Sequence, residues 1–208
     1  MYRCFFKRLL DITISLFAIP FIVVVIVLIG PIIFFTDKGP IFYCGLRLGK
    51  NGKPFKMIKF RSMRVNSPDL RNPDGSTFNG DNDPRVTKIG KFLRTTSIDE
   101  LPQFFNVFIG QMSIIGPRPD PLEDLLIYTE KQKRKLIIRP GITGYNQAYF
   151  RNSVSQEDKF NHDVYYADNV SFFLDIKIFF KTISTIFKKE NVYNEVSKNN
   201  GEKKDSYK

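Results

Sequence analysis

The chain has 208 residues and a mass of 24.2 kDa, with 42% apolar and 25% charged residues, which fits one domain of ordinary size and excludes a large multidomain protein. Its 32 Lys and Arg exceed its 21 Asp and Glu, and the formal charge of +11 favours acidic partners such as nucleic acid, anionic lipid or phosphorylated substrates. Two cysteines, Cys4 and Cys44, and one histidine, His162, exclude cysteine scaffolds, zinc clusters and mechanisms that need several imidazoles.

The first predicted element is a membrane helix. Between Ile12 and Phe35 the chain carries only two polar side chains, a threonine and a serine. About 20 such residues suffice to cross a bilayer at a helical rise of about 1.5 Å each. Pro20 removes one helical hydrogen bond and favours a break or kink at that point, and Pro31 repeats the effect.

Basic residues flank this helix on both sides. Arg3, Lys7 and Arg8 precede it, and eight more Lys or Arg follow it between Lys38 and Arg64. Basic residues prefer the cytoplasmic side of a membrane, so a helix that breaks near its first proline and returns to the same leaflet accommodates both flanks. The charges therefore favour a re-entrant helix, while a full span oriented by the larger C-terminal excess stays open.

A small sheet or hairpin is predicted next. Pro40 to Cys44 and Pro54 to Phe60 have strand-like composition, and glycines and an asparagine between them indicate a turn. The residues from Asn66 to Pro84 are rich in Asn, Asp, Gly and Pro, which predicts a surface loop.

Helical spacing of apolar residues follows over Lys88 to Arg94 and over Ile98 to Ile109, and both segments are expected to pack on a core. Another helix is predicted over Glu123 to Ile138, ending before Pro140. Between these helices, the stiff prolines of a Gly-Pro-Arg-Pro sequence hold Arg118 on a loop of limited freedom.

The last ordered segment, Ser171 to Lys189, is strongly apolar but interrupted by lysines. This pattern is typical of a basic amphipathic helix on a membrane surface and equally of a helix packed on a core, because periodicity alone does not separate the two. Residues 190–208 are polar and predicted to be disordered.

Asp99 and Glu100 are adjacent carboxylates at the opening of a predicted helix. Ser97 and Glu100 have the spacing of a capping box, so a purely structural role in starting the helix is one interpretation. A chemical interpretation is equally concrete, because an ionised carboxylate can attack phosphorus and two neighbouring carboxylates can share a divalent cation.

Basic residues in the ordered segments favour the chemical interpretation, since arginine forks suit phosphate oxygens. These residues are Lys59, Arg94, Arg118 and Arg139. The combination indicates phosphoryl transfer at a membrane, although a solvated surface position is the common fate of any single arginine.

Six segments are together highly specific. They are the basic N-terminus with Asp11, Lys59-Phe60-Arg61-Ser62-Met63, Asp83-Pro84-Arg85-Val86-Thr87-Lys88-Ile89-Gly90, Ser97-Ile98-Asp99-Glu100-Leu101-Pro102-Gln103, Gly116-Pro117-Arg118-Pro119 and Arg139-Pro140-Gly141-Ile142-Thr143-Gly144. Through them the chain resembles the small monotopic polyprenyl-phosphate phosphoglycosyl transferases, also called bacterial sugar transferases, over nearly its whole length.

With the predicted elements, this resemblance implies an α+β fold in three parts. A re-entrant membrane helix occupies residues 1–37, a small cytosolic catalytic domain with a short sheet or hairpin occupies residues 38–189, and a polar tail occupies residues 190–208. Amphipathic helices lie on the membrane surface. The implied location is the cytoplasmic face of the bacterial inner membrane.

The resemblance also implies a reaction between a UDP-sugar donor and polyprenyl (undecaprenyl) phosphate. Asp99 matches the family nucleophile, which attacks the β-phosphate, releases UMP and holds the phospho-sugar covalently. Glu100 matches the second acid, as proton acceptor or metal partner. Mg²⁺ is the implied cofactor, with Asp99 as its contact, and downstream glycosyltransferases are expected partners. The residues implied in phosphate binding are Lys59, Arg85, Arg94, Arg118 and Arg139.

Two departures from the family limit this transfer. Ile19 precedes Pro20, where relatives often carry a serine, so the helix must bend without serine assistance. Residues 145–152 also differ from the glycine-containing stretch of many relatives, and because this segment is expected to touch the sugar or the nucleotide, the usual sugar preference is not carried over.

Two other functions are weighed against the enzyme. A non-catalytic basic module that gathers anionic lipids or partner proteins through Ser171 to Lys189 is the main alternative. Nucleic-acid binding is not expected, because the basic residues are not clustered with stacking aromatics on one recognisable module.

Overall fold

A computed structural model describes residues 2–70, 78, 80, 83–151 and 153–188. It confirms the predicted α+β class, because helices surround two small two-stranded sheets. The predicted tail at 190–208 and part of the predicted loop between Asn66 and Pro84 lie outside the described residues.

The helices and strands follow one another along the chain with several 3₁₀ turns between them. The helices are α1 (Lys7–Asp37), α2 (Lys88–Thr96), α3 (Gln103–Phe108), α4 (Glu130–Lys133), α5 (Tyr145–Tyr149), α6 (Gln156–Asp168) and α7 (Phe172–Lys188). The strands are β1 (Phe42–Leu48), β2 (Pro54–Phe60), β3 (Ser113–Ile115) and β4 (Gly141–Thr143).

The apolar segment forms one continuous helix of 31 residues that runs through both Pro20 and Pro31. The predicted break near Pro20 therefore does not divide α1 into two helices, because a proline removes a single hydrogen bond and the neighbouring turns keep theirs. By length and composition α1 is able to cross a membrane, and only 11% of its most apolar stretch of 18 residues is buried.

Both ends of α1 are bonded to the same folded body. Near its beginning, Arg8 donates to two carbonyl oxygens of α3 at 2.6 and 2.9 Å, and Asp11 accepts from a backbone N–H of β3 at 2.9 Å. At its end, both Asp37 carboxylate oxygens accept from Arg61 at 2.6 Å. Helix α1 and the rest of the described chain are thus joined by polar contacts at two distant points.

The predicted hairpin is confirmed. β1 and β2 pair antiparallel from Phe42 opposite Phe60 to Leu48 opposite Pro54, and β1 continues four residues beyond the predicted end at Cys44. At the end of β2, Phe60 is buried in a cluster with Ile33 of α1 and Leu93 of α2. This cluster fixes the hairpin against both helices.

A second sheet brings two of the sequence motifs together. β3 and β4 pair in parallel, with Ser113 opposite Gly141. A Cβ atom on Gly141 would lie 2.1 Å from the backbone nitrogen of Gly116, so the close approach of the two chains requires glycine at this point. The Gly-Pro-Arg-Pro loop and the segment that begins at Arg139 are therefore neighbours in space.

The predicted helix over Lys88 to Arg94 is confirmed as α2, and Thr87 caps it by accepting from the N–H of Gly90 at 2.9 Å. The predicted single helix over Ile98 to Ile109 is wrong. Its first part is a 3₁₀ turn, Ile98–Glu100, and α3 begins only at Gln103. Pro102 explains the difference, because a helix starting at Ile98 would need an N–H at that position.

The predicted helix over Glu123 to Ile138 is also wrong as one element. It divides into a 3₁₀ turn at Leu122–Leu126, α4, and a second 3₁₀ turn at Arg134–Ile137. Thr129 and Gln132 form a complete capping box that starts α4 anew, so the backbone leaves the helical path before this point.

The C-terminal amphipathic segment forms α7, and packing on a core, one of the two interpretations of its pattern, is confirmed for one face of this helix. Its inner face is anchored, since Ile178 is fully buried and Asp175 accepts from Lys7 at 2.6 Å. Its outer face carries large apolar side chains in contact with solvent, with Phe173 75% and Phe180 65% exposed.

The anchor at the end of α1 gives a first prediction. Asp37→Asn removes the negative charge that faces the largely buried Arg61, and we expect a loss of about 1–3 kcal/mol in the free energy of unfolding. The measurement is urea unfolding of the detergent-solubilised protein. Glu130→Gln makes the same change in an exposed pair and is expected to cost less than about 0.5 kcal/mol. Equal losses in the two variants would contradict the anchor.

Candidate active site

The two adjacent acids lie on the 3₁₀ turn between α2 and α3. α2 ends at Ser97, which has a left-handed φ of 58° and turns the chain sharply. Ile98 packs into the cluster that contains Phe60 and Leu93, and this contact fixes the turn on the core. The capping box expected from the sequence is absent, since the Ser97 side chain makes no capping bond. Glu100 therefore has another partner.

That partner is Lys59 on β2. Its Nζ lies 2.6 Å from Oε1 of Glu100, and both side chains are largely withdrawn from solvent. Burial alone would raise the pKa of Glu100, but the charges of Lys59, Arg118 and Arg151 outweigh it and lower the pKa. Glu100 is thus held ionised as one half of an ion pair.

Asp99 has the opposite character. It is only 9% exposed, and burial, with a smaller contribution from the neighbouring Glu100, raises its pKa to about 6 against the opposing charges of Lys59 and Arg94. The sequence-based view of an acid at a helix N-terminus implied a lower pKa. In the structure the helix that follows has six residues and begins four positions later, so burial dominates.

Arg94 is placed on the α2 side of the acids, in the last turn of that helix. Its Nε donates to the hydroxyl of Ser62 at 2.9 Å, and its charge acts on Asp99. Ser62 is the second residue after β2, and its carbonyl accepts from the backbone N–H of Thr87. The Lys59 to Met63 motif therefore supplies both the lysine for one acid and the support for the arginine beside the other.

Two more arginines act on Glu100 through their charges. Arg118 stands on the loop after β3 with an exposed side chain, and within the described ranges its guanidinium makes no hydrogen bond. Arg151 follows α5 with a left-handed φ of 51°. The sequence indicated its segment as a substrate contact, but Arg151 itself was missed, because only the fold brings this arginine to the acids.

Two of the arginines expected to bind phosphate are engaged elsewhere. Arg85 is buried against both carboxylate oxygens of Asp83, at 2.7 to 3.2 Å, and donates to the carbonyls of Pro68 and Phe78, so it clasps its own loop. Arg139 donates to the carbonyl of Gly110, beyond the end of α3. Among the basic residues expected from the sequence, the structure brings Lys59, Arg94 and Arg118 to the acids.

The donor set near the acids suits one kind of Mg²⁺ site. Mg²⁺ is commonly held by one or two carboxylates together with substrate phosphates. In the described part of the chain, no hydrogen bond from another residue reaches the Asp99 carboxylate, whereas Glu100 is held by Lys59. The described residues contain no group of three or more His, Cys, Asp or Glu side chains able to hold a metal. Asp99 with substrate phosphates therefore fits the ion, and a cage built from the protein alone does not.

Comparison with known proteins decides the family. The family model described as bacterial sugar transferase matches residues 2–189. The chain belongs to the bacterial sugar transferase family. It is 41% identical over 186 residues to the uncharacterized sugar transferase EpsL of Bacillus subtilis, and the match covers 89% of each protein.

Longer relatives match over a part of their length. The chain is 40% identical to UDP-glucose:undecaprenyl-phosphate glucose-1-phosphate transferase of Klebsiella pneumoniae, over 90% of this chain and 41% of that protein. It is 39% identical to UDP-N-acetylgalactosamine-undecaprenyl-phosphate N-acetylgalactosaminephosphotransferase of Aeromonas hydrophila, over 88% of this chain and 44% of that protein. The chain thus spans less than half of these bacterial sugar transferases.

The opposite pKa shifts of the two acids are directly measurable. We expect the Asp99 carboxyl to titrate at about pH 6, instead of about 4 for an exposed aspartate. Lys59→Met removes the cation that opposes this shift and should move the midpoint to higher pH. Lys53→Met alters an exposed lysine of the hairpin and should leave the titration midpoint of Asp99 unchanged.

The measurement is carbon-detected NMR of protein labelled at the aspartate carboxyls. The Asp99 signal is assigned by its loss in Asp99→Asn, which also separates it from Asp163, whose pKa burial likewise raises to about 6. An Asp99 midpoint near that of an exposed aspartate would contradict the geometry.

Proposed function

We propose that the chain transfers a sugar phosphate from a UDP-sugar to a polyprenyl phosphate, through a covalent phospho-sugar intermediate on Asp99. The observation that carries the proposal is the pair of acids with opposite pKa shifts, surrounded by Lys59, Arg94, Arg118 and Arg151. The printed names of the Klebsiella and Aeromonas relatives, which specify UDP-sugars and undecaprenyl phosphate, support the same substrates.

The reaction has two displacements at phosphorus. In the first, a carboxylate oxygen of Asp99 forms a bond to the β-phosphorus, the bond from that phosphorus to the bridging oxygen breaks, and UMP leaves with the electron pair. In the second, an oxygen of the polyprenyl phosphate attacks the same phosphorus and the bond to Asp99 breaks. The product is a polyprenyl-diphosphate sugar, and Asp99 returns to its starting state.

The chain's own residues supply charge and position in this scheme. A pKa of about 6 leaves the Asp99 carboxylate mostly ionised at neutral pH and more basic than an ordinary aspartate, which favours attack on phosphorus. Arg94 and Arg118 offer guanidinium forks to the diphosphate oxygens from two sides. Mg²⁺, bound by Asp99 and the substrate phosphates, would neutralise part of the diphosphate charge.

The contacts of α1 support a monotopic attachment to the membrane. A straight helix of 31 residues is about 46 Å long, more than the hydrocarbon core of about 30 Å, so a full span would carry its two ends to opposite surfaces. Yet Arg8 and Asp37, at the two ends, bond to the same folded body. A bend at Pro20 that leaves α1 uninterrupted would let the helix enter and leave by one leaflet and keep both contacts, with residues 38–189 as the catalytic domain on the cytoplasmic face of the bacterial inner membrane.

The nucleophile is tested by Asp99→Asn. We expect UMP release from a panel of UDP-sugars to fall by at least about a thousandfold, and the phospho-sugar adduct seen by mass spectrometry to disappear. The folded protein should be retained, since burial raises the pKa of Asp99 and its charge therefore opposes folding at pH 7.

The matched control is Asp168→Asn, which alters an exposed ion pair with Arg134 and should keep both signals. Turnover retained in Asp99→Asn would defeat the assignment of the nucleophile. Vesicle binding without UMP release by the wild type would instead favour a non-catalytic membrane module.

The topology is tested by labelling. In a background with both cysteines replaced by serine, single cysteines are introduced at Arg3 and at Lys50, and sealed vesicles of one orientation are treated with an impermeant maleimide. We expect both positions to react from the same side of the membrane. Labelling from opposite sides would show that α1 crosses the bilayer.

A further inference from the structure

A buried ionic cluster lies behind the loop that presents Arg118. The Lys135 ammonium, in the 3₁₀ turn after α4, is 2% exposed and donates to Oδ2 of both Asp120 and Asp163 at 2.5 Å. Tyr128 donates to the same oxygen of Asp120 at 2.5 Å. None of these residues belongs to the acids and basic residues of the candidate site.

We propose that Lys135 is a positioning residue that acts through Arg118 on the phosphates of the donor substrate, an inference that rests on the proposed function. The reason is that both carboxylates are linked to the backbone of the loop that carries Arg118, one by a hydrogen bond and the other as a residue of the loop itself. Asp163 also accepts the backbone N–H of Arg118, through its other oxygen, at 3.4 Å. Asp120 lies two residues after Arg118, and its carbonyl accepts from Leu48 of β1 at 2.9 Å.

The backbone of the loop is therefore held on both sides of Arg118, while the guanidinium stays exposed. Pro117 and Pro119 are buried and fix φ on either side of the arginine. Lys135 adds a second link between the loop and α6, beside the bond from the Arg118 N–H to Asp163, by joining Asp120 of the loop to Asp163 of the helix. From this position the charge of Arg118 acts on Glu100 and lowers the pKa of that acid.

A role in stability alone explains this cluster less well. The desolvation cost of a buried ion pair often equals its Coulombic gain, and well-packed apolar residues frequently serve as well or better. The cluster here places two carboxylates on one ammonium, against the rings of Tyr128 and Phe160 at 5.5 and 5.0 Å. What the charges add over apolar packing is a defined geometry between loop and helix.

The experiment is a double-mutant cycle between Lys135→Met and Arg118→Gln, with kcat and KM measured on the UDP-sugar that releases UMP fastest. We expect Lys135→Met to raise the donor KM about tenfold with a smaller change in kcat, because the substrate contact is displaced and the nucleophile is untouched. In the Arg118→Gln background the same substitution should change KM less than about twofold, since its effect requires the arginine. Arg134→Gln, one residue away on the same turn, should leave KM and kcat at their wild-type values.

A second variant keeps the test decisive if Lys135→Met does not fold. Asp163→Asn leaves the Lys135 and Asp120 pair in charge balance, and we expect it to raise the donor KM in the same manner, again only where Arg118 is present. A purely structural cluster would lower the unfolding midpoint and the active fraction without moving KM.

Two results would overturn the inference. The first is an effect of equal size with and without Arg118, and the second is an unchanged KM in every folded variant of the cluster. Either leaves the proposed function intact as long as the wild type turns over. Absence of UMP release by the wild type on every UDP-sugar would refute the proposed function itself, and this inference with it.

Discussion

The bond between Lys59 and Glu100 is the interaction on which the candidate site depends. It joins the hairpin to the turn between α2 and α3 across 41 residues of sequence, at 2.6 Å. It also commits the lysine to one acid of the pair, so that two adjacent carboxylates acquire different properties. Without it, Glu100 would lose its hydrogen bond and the largest of the charges that lower its pKa, and only Arg118 and Arg151 would oppose the effect of burial.

The same constraint links the candidate site to helix α1. Phe60, next to Lys59, packs with Ile33 of α1, and Arg61 clasps Asp37 at the end of that helix. At its other end, Arg8 holds the last carbonyls of α3, the helix that follows the two acids. A displacement of α1 would therefore reach the site from two directions, through β2 and through α3.

The predictable parts of the fold are those set by local patterns. β2 occupies its predicted residues, and α2 extends two residues beyond its predicted end. The adjacent acids Asp99 and Glu100 are recognisable from their sequence motif. The failures are of two kinds. Apolar spacing over Ile98 to Ile109 predicts one helix, but such a helix would require an N–H that Pro102 lacks. Thr129 restarts a helix where periodicity alone shows no interruption. Arg151 was beyond reach for another reason, because its nearness to Glu100 exists only after α5 has packed.

The contrast between the two acids also supports the proposal that Asp99, and not Glu100, attacks phosphorus. Glu100 uses one oxygen for Lys59, and the surrounding cations lower its pKa, which makes it the weaker base. Asp99 has a raised pKa and, among the described residues, no hydrogen bond from a neighbour on its carboxylate. A nucleophile has to be ionised at working pH and yet basic, and these requirements meet when its pKa lies a little below neutrality. Asp99 satisfies both, and the ion pair beside it keeps the second negative charge from pushing that pKa higher.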